Sequence, residues 1–341
     1  MITLLTMVRN VEDTLPFMLD SAIPHTDGVV ALMAGESADD TEKVLLAVGA
    51  KAKKVPWEDN FALARNQLFD YARECGVQWG LLLDGDDVLL EGGALTEPDG
   101  VGAMLPIQHY NCRYYQRRIF NLGVPGKWVG RAHETYAAEG VFPQLPAPTV
   151  QHVPGKKAAG DVDRNLTIFR RWLEEAPEEW DGHIWFNYGN ELYWHRQWLE
   201  AAEAYGKANG WIDEQYFARI KQGRSLWSGG KRDEAWACFA EAAKLKPHWH
   251  SAYFEMSRWF YYRDQWELCV LMDGYARTRQ PPDTYAVVDV RDYSVGQAEY
   301  MSYALGKLGR IEDALKVTRD GLELEPNNAM LLQNLKVYSD R

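Results

Sequence analysis

In the N-terminal half of the chain, short apolar runs alternate with stretches of helical period. Ile2 to Val8, Gly28 to Met33, Ala50 to Val55 and Trp79 to Leu83 read as strands. Between them, Glu12 to Ala22 sets Leu15, Met18, Leu19 and Ala22 on one helical face. The polar turn Glu36 to Thr41 is able to cap a helix running to Val48, and Phe61 to Cys75 reads as a third helix. Strands alternating with helices predict an α/β domain built on a mostly parallel sheet. Near residue 160 the pattern becomes helical throughout, and tryptophan and tyrosine become dense.

The helical half repeats itself. Trp185, Gly189, Leu192, Ala201, Tyr205 and Ala208 superimpose on Arg219, Gly223, Leu226, Ala235, Phe239 and Ala242, and again on Tyr253, Ser257, Phe260, Cys269, Asp273 and Ala276. A period of about 34 residues, with small residues where two helices cross, is the tetratricopeptide signature. A fourth unit follows at Met301, Ser302, Leu305, Ala314 and Gly321, displaced by an apolar insertion at 281–293, and Ala329 to Tyr338 reads as a capping helix. The insertion is expected to pack on something, the N-terminal domain being one choice. The expected organisation is an α/β domain over 1–158, a junction around Gly155 to Gly160, and a helical solenoid over 159–341. Arg164 to Glu175 is expected to be a connecting helix.

Composition narrows the possible functions. A net charge of −12 disfavours a mainly electrostatic nucleic-acid binder. The four cysteines have no metal or disulfide spacing, and no apolar stretch approaches the roughly 18 residues that span a bilayer. The N-terminus runs straight into a strand without a signal-peptide pattern, so a cytoplasmic protein with reduced thiols is expected.

The chemistry concentrates at Asp84-Gly85-Asp86-Asp87, after the last of the apolar runs. Parallel sheets place ligands at the C-terminal ends of their strands. Two carboxylates one residue apart on a turn can reach one divalent cation, and hard oxygen ligands suit Mg²⁺ or Mn²⁺ shared with a diphosphate.

Several segments together carry a resemblance. They are Leu4 to Glu12, Pro56 to Asn66, Leu83 to Asp87, Trp128 to Glu134 and Gln151 to Val153, in this order. The first 155 or so residues resemble family 2 glycosyltransferases of the GT-A type, in the subgroup that continues into tetratricopeptide repeats. The resemblance implies a nucleotide-diphospho-sugar transferase fold. It also implies a metal-dependent, inverting transfer of a sugar from a nucleoside diphosphate, UDP-hexose or UDP-N-acetylhexosamine first, to an acceptor hydroxyl. It implies Asp86 and His152 as metal ligands, with an imidazole ligand favouring Mn²⁺ over Mg²⁺. It implies Thr6, Val8, Arg9, Asn10, Asp39, Arg65, Asp84 and Gly85 along the donor, Glu134 as general base, and Arg117, Arg118 and His133 on the acceptor side. Asn66 matches a residue kept near the nucleotide.

One segment departs from the family. Ala34 stands where an Asp that helps hold the base is expected. A nucleotide-sugar donor is therefore expected without its base being named. The acceptor is open between a protein or peptide, a glycan, a lipid-linked group and a modified nucleobase, placed in a cleft between the two halves. The alternative reading is a tetratricopeptide protein-binding scaffold beside a degenerate, non-catalytic transferase domain. A nucleotidyltransferase ranks below both, because Thr6 to Asn10 supplies only Arg9 for a triphosphate.

Overall fold

A computed structural model describes residues 1–90, 95–109, 112–153, 162–279 and 295–339. The expected junction at 155–160 and the insertion at 281–293 lie outside the described residues. Contacts divide the chain into two compact units, Met1–Glu178 and Glu179–Arg341. The helix expected as a connector, α4 (Arg164–Glu175), therefore falls within the first unit rather than in the helical half.

The first unit is built on an eight-stranded mixed sheet. Its strands are β1 (Ile2–Val8), β2 (Val29–Ala34), β3 (Lys51–Val55), β4 (Trp79–Leu82), β5 (Asp87–Leu89), β6 (Gly102–His109), β7 (Cys112–Asn121) and β10 (Val150–His152), in the order β3-β2-β1-β4-β7-β6-β10-β5. A separate hairpin pairs β8 (Gly126–Val129) with β9 (Thr135–Ala138). β1 to β4 are mutually parallel, as the alternating pattern predicts. β7 runs antiparallel to both its neighbours, and β5 antiparallel to β10.

Period-two alternation sorts the core. Leu4, Leu81 and Ile119 face one layer with helices α1 (Leu15–Ala22) and α2 (Thr41–Ala47), while Leu5, Leu82 and Phe120 face the other with α3 (Phe61–Glu74). The lysines of β3 sit on an edge strand, where charge blocks further pairing; Lys53 and Lys54 meet Glu74 and Glu42.

One irregularity matters for the site. Ala103 on β6 faces Ile119 on β7, but the next residue, Met104, faces Arg117. Arg118 is thus an extra residue opposite none, a β-bulge that re-aims the side chains around it.

The second unit is a tetratricopeptide-like solenoid. Consecutive helices pair as α5 (Gly182–Trp194) with α6 (Trp198–Lys207), α7 (Ile212–Ser228) with α8 (Arg232–Leu245), α9 (Ser251–Tyr261) with α10 (Trp266–Arg277), and α11 (Val295–Lys307) with α12 (Ile311–Leu324); α13 (Ala329–Ser339) follows. The repeat positions are those the helices bury: Ala201, Ala235 and Cys269 are fully buried, as are Ala208, Ala242 and Ala276. Gly189 and Gly223 lie against Tyr205 and Phe239 so closely that a Cβ would come within 2.7 and 2.3 Å of a ring atom. Ser257, the next in the series, donates its hydroxyl to the Cys269 carbonyl at 3.0 Å. Among the described residues no helix is long and apolar enough to cross a membrane.

Candidate functional site

A pocket of about 410 Å³ opens in the first unit where β1, β2 and β4 end. The chain leaves β4 through Leu83 and makes a tight turn over Asp84 to Asp87, closed by the Asp87 amide donating to the Asp84 carbonyl at 3.0 Å. Gly85 must be small: a Cβ there would come within 2.9 Å of Val11 and 3.3 Å of Val8. The turn therefore rests on the residues that follow β1, and a carboxylate stands on either side of its glycine.

The carboxylates have different environments. Asp84 Oδ1 accepts from Arg65 Nη2 at 3.0 Å, and Oδ2 accepts from Arg118 Nη1 at 3.3 Å. Burial would raise its pKa, but the two guanidiniums hold it well below the usual carboxylate range. Asp87 is 1% exposed and pairs with Arg118 Nη2 at 3.0 Å, while its Oδ2 accepts from the Asp84 amide. Asp86 has no arginine partner among the described residues; burial, then the charges of Asp84 and Asp87, push it up to about 6 against the pull of His152. Asp86 Oδ2 lies 3.5 Å from His152 Nε2, and Asp87 Oδ1 lies 3.5 Å from His152 Nδ1. The hydrogen bond to Asp87 and the neighbouring carboxylates raise the His152 pKa despite its partial burial.

Asp86, Asp87 and His152 bring one ligand atom each to within 4.8 Å of one another, close enough to share a cation. Asp84, Asp87 and Glu134 are paired with the guanidiniums of Arg65 and Arg118, so Asp86 is the carboxylate of this group left to His152, and Arg9 and Arg164 add positive charge elsewhere on the pocket wall. A mixed imidazole and carboxylate donor set fits Mn²⁺.

Helix α3 supplies the pocket's cationic wall. Asn60 caps it by accepting from the Leu63 amide, and the Phe61 amide finds the Arg131 carbonyl at 2.9 Å. One turn on, Arg65 bridges Asp84 and Glu134 and lies 5.1 Å from the Trp128 ring centre. Its pairing with those carboxylates outweighs burial and raises its pKa. Asn66 clamps the Trp128 backbone, accepting from its amide at 2.8 Å and donating to its carbonyl at 3.0 Å.

The expected residues sort into three groups. Val8, Arg9, Arg65, Asp84, Gly85, Asp86, His133, Glu134 and His152 line the pocket together, as does Ala34. Thr6, Asn10 and Asp39 do not. Thr6 is fully buried with its hydroxyl unpartnered among the described residues. Asn10, in left-handed backbone (φ 53°), accepts from the Ala38 amide at 2.7 Å. Burial would raise the Asp39 pKa, but its carboxylate accepts from the Thr41 hydroxyl and from the Glu12 and Thr41 amides, which together lower it. Asn10 and Asp39 fasten the loop after β1 to the loop after β2.

Arg117 and Arg118 are also corrected. The bulge buries Arg118 beneath Asp84 and Asp87, at 5% exposure, rather than on an acceptor side. Arg117 turns away, donating to the Tyr136 carbonyl and lying 4.6 Å from the Phe142 ring centre. The β7 residue that does line the pocket is Gln116. His133 holds a tight loop in left-handed backbone (φ 51°) and stacks on Phe169 of α4 at 5.9 Å. Arg131, a possible partner for Glu134, instead pairs with Glu175 of α4.

Sequence reasoning passed over Trp57, Phe61, Gln116, Arg164 and Asn165 as pocket residues. Trp57 and Phe61 stand within a segment that carries the resemblance, and their rings meet edge to face at 4.8 Å. Arg164 and Asn165 had no signal beyond opening a helix. Arg164 lies 4.8 Å from the Phe61 ring centre.

No protein-family model matches the chain, and no curated protein sequence matches it. Among solved structures it is similar to YrrB, described as a TPR protein with an unusual peptide-binding site, at 13% identity and a TM-score of 0.39, covering 52% of this chain and 84% of that one. It is also similar to PilW, a type IV pilus biogenesis factor, at 18% identity and 0.41, covering 51% and 74%. A third is MamA from Desulfovibrio magneticus RS-1, at 13% and 0.39, covering 47% and 84%. At these scores the likenesses carry no argument about function.

Proposed function

We propose that the first unit is a divalent-metal-dependent, inverting glycosyltransferase that uses a nucleoside diphosphate sugar. The observation that carries this reading is the pairing of Asp86 with His152 on one wall of the pocket, their ligand atoms close enough to share one cation. A bound Mn²⁺ or Mg²⁺ would neutralise the charge that grows on the leaving diphosphate. Asp86 and His152 would hold it, and Asp84, kept ionised by Arg65 and Arg118, would face the donor. Arg9, with no ion pair among the described residues, is available to phosphate or base. Glu134 is oriented by Arg65 and lines the pocket, where it takes the proton of an acceptor hydroxyl. Trp57 and Phe61 offer aromatic faces to a base or a sugar, and Ala34 removes one carboxylate from that wall.

The test is thermal stability of the full chain against nucleoside diphosphates and nucleotide sugars, with and without Mn²⁺. Ligand at about 100 times its dissociation constant stabilises by roughly 2.7 kcal/mol. A Mn²⁺-dependent shift that Asp86→Ala abolishes supports the reading. Absence of any shift in the folded wild type rejects it.

A second reading, a scaffold whose working part is the solenoid, is favoured by a separate pocket of about 220 Å³ in that unit. Arg224 and Arg258 flank Glu255 there, beside Tyr193, Trp227 and Tyr262. Two guanidiniums against one carboxylate leave a positive charge among aromatic rings, which suits an acidic peptide. Retained peptide binding by an Asp86→Ala protein that binds no nucleotide would separate the two readings.

A further inference from the structure

We propose that Asp87 is a positioning residue that aims His152 at the metal, with Arg118 holding Asp87 in turn; this rests on the metal reading above. His152 and Asp87 are directly opposite each other on the antiparallel strands β10 and β5. Opposed residues in such a pair project to the same face, a few ångströms apart. The two ring nitrogens consequently face different carboxylates: Nδ1 lies 3.5 Å from Asp87 Oδ1, and Nε2 lies 3.5 Å from Asp86 Oδ2.

The other oxygen of Asp87 is engaged. Oδ2 accepts from the Asp84 amide at 3.0 Å and from Arg118 Nη2 at 3.0 Å. Asp87 is also 1% exposed, whereas the side chains of Asp86 and His152 are each 34% exposed. A carboxylate buried in this way and committed to two donors is poorly placed to enter a coordination sphere open to substrate. Its remaining oxygen is placed to accept the Nδ1 proton, which leaves the Nε2 lone pair directed at Asp86 and the pocket. A carboxylate behind a ligating imidazole fixes both its tautomer and its ring orientation. Arg118 reaches Asp87 because the bulge in β7 turns it inward.

Two measurements on the full chain test this. The first is Mn²⁺ binding without nucleotide, followed by the paramagnetic resonance of the free ion, for wild type, Asp87→Asn, His152→Ala and the double variant. Asp87→Asn is expected to weaken Mn²⁺ about 10- to 100-fold, and to add nothing once His152 is removed. Further weakening in the His152→Ala background would make Asp87 a direct ligand and overturn the proposal, as would an unchanged affinity for Asp87→Asn. The second is the ¹⁵N spectrum of the His152 ring in metal-free wild type at a pH where the ring is neutral. This needs no variant to fold. The Nδ1–H tautomer is expected, and the Nε2–H tautomer overturns the proposal. Failure of the wild type to bind Mn²⁺ at all would reject the metal reading itself, whatever the tautomer.

Discussion

The two units solve opposite packing problems. Around the pocket the sheet unit buries charge: Arg65, Arg118, Asp84, Asp87 and Glu134 share one network beneath the acidic turn. The solenoid buries closeness: Gly189, Gly223 and Ser257 let helices approach until ring meets backbone. The first arrangement holds side chains in one orientation at the cost of desolvating them, and the second gains dispersion contacts along a repeated seam. Site chemistry belongs with the first kind of interior, because preset charge is what a diphosphate and a cation recognise.

The sharpest way to break this contrast is Arg118→Met. It leaves Asp84 with one guanidinium and Asp87 with none, and it should cost about 3–5 kcal/mol, read by denaturant unfolding of the full chain. A loss below about 1 kcal/mol would mean that the network is not a single unit. The matching change in the solenoid is Gly223→Val, whose new Cβ would meet Phe239 at 2.3 Å. Overpacking of this kind should cost about 1–3 kcal/mol by the same measurement; a neutral result would show that the repeats can slide apart.

Asp273 carries charge into the solenoid, where little offsets it. It is fully buried, and desolvation pushes its carboxyl up to about 6 even though Arg277 pulls the other way. The folded chain thus holds a proton that the unfolded chain releases near 3.8, so stability falls as pH rises from about 4 to about 6 and is flat above. Asp273→Asn should therefore stabilise the protein at pH 7, by on the order of 2 kcal/mol, with the gain gone at pH 4. A variant that is less stable at pH 7 would show that the Arg277 pair outweighs burial.

Asp86 shares that direction of shift and its main cause, burial, with the charges of Asp84 and Asp87 adding to it. Mn²⁺ must displace its proton, so Mn²⁺-induced stabilisation should weaken as pH falls through about 6. A thermal shift that is constant from pH 5 to pH 8 would remove Asp86 from the ligand set. The smallest effect is expected at Thr6, whose buried hydroxyl has no partner among the described residues. Thr6→Val should be neutral or stabilising by up to about 1 kcal/mol in thermal unfolding; a larger loss would place a hydrogen bond there.

Much of the fold was legible because it depends on local period. The repeat positions at Gly189, Gly223 and Ser257, and the apolar run ending in the acidic turn, need only spacing to be seen. What escaped depends on pairing partners distant in sequence. Asn10 and Asp39 are polar residues beside the right loops, and only the contacts between those loops show that they tie the loops together. Helix α4 has an ordinary amphipathic pattern; the sheet unit claims it through Phe169, Trp172 and Glu175. Arg117 and Arg118 are chemically identical neighbours, and strict alternation would assign them to the wrong faces. The site's carboxylates were legible as chemistry, but the arginines that keep Asp84 ionised were not legible as its partners.

The bulge in β7 also changes how this strand tolerates alteration. A ladder counts residues in twos, and this one carries an odd residue between Arg117 and Ile119. A substitution at 118 deletes a guanidinium, but it leaves the parity of the strand intact. Losing one residue there would do the reverse: an arginine would remain, but the odd residue that lets Arg118 hold Asp84 and Asp87 while Arg117 covers Phe142 would be gone. Chains that preserve this network as they diverge would therefore preserve a length before they preserve a spelling, and aligned sequences would show it as a place where gaps are forbidden.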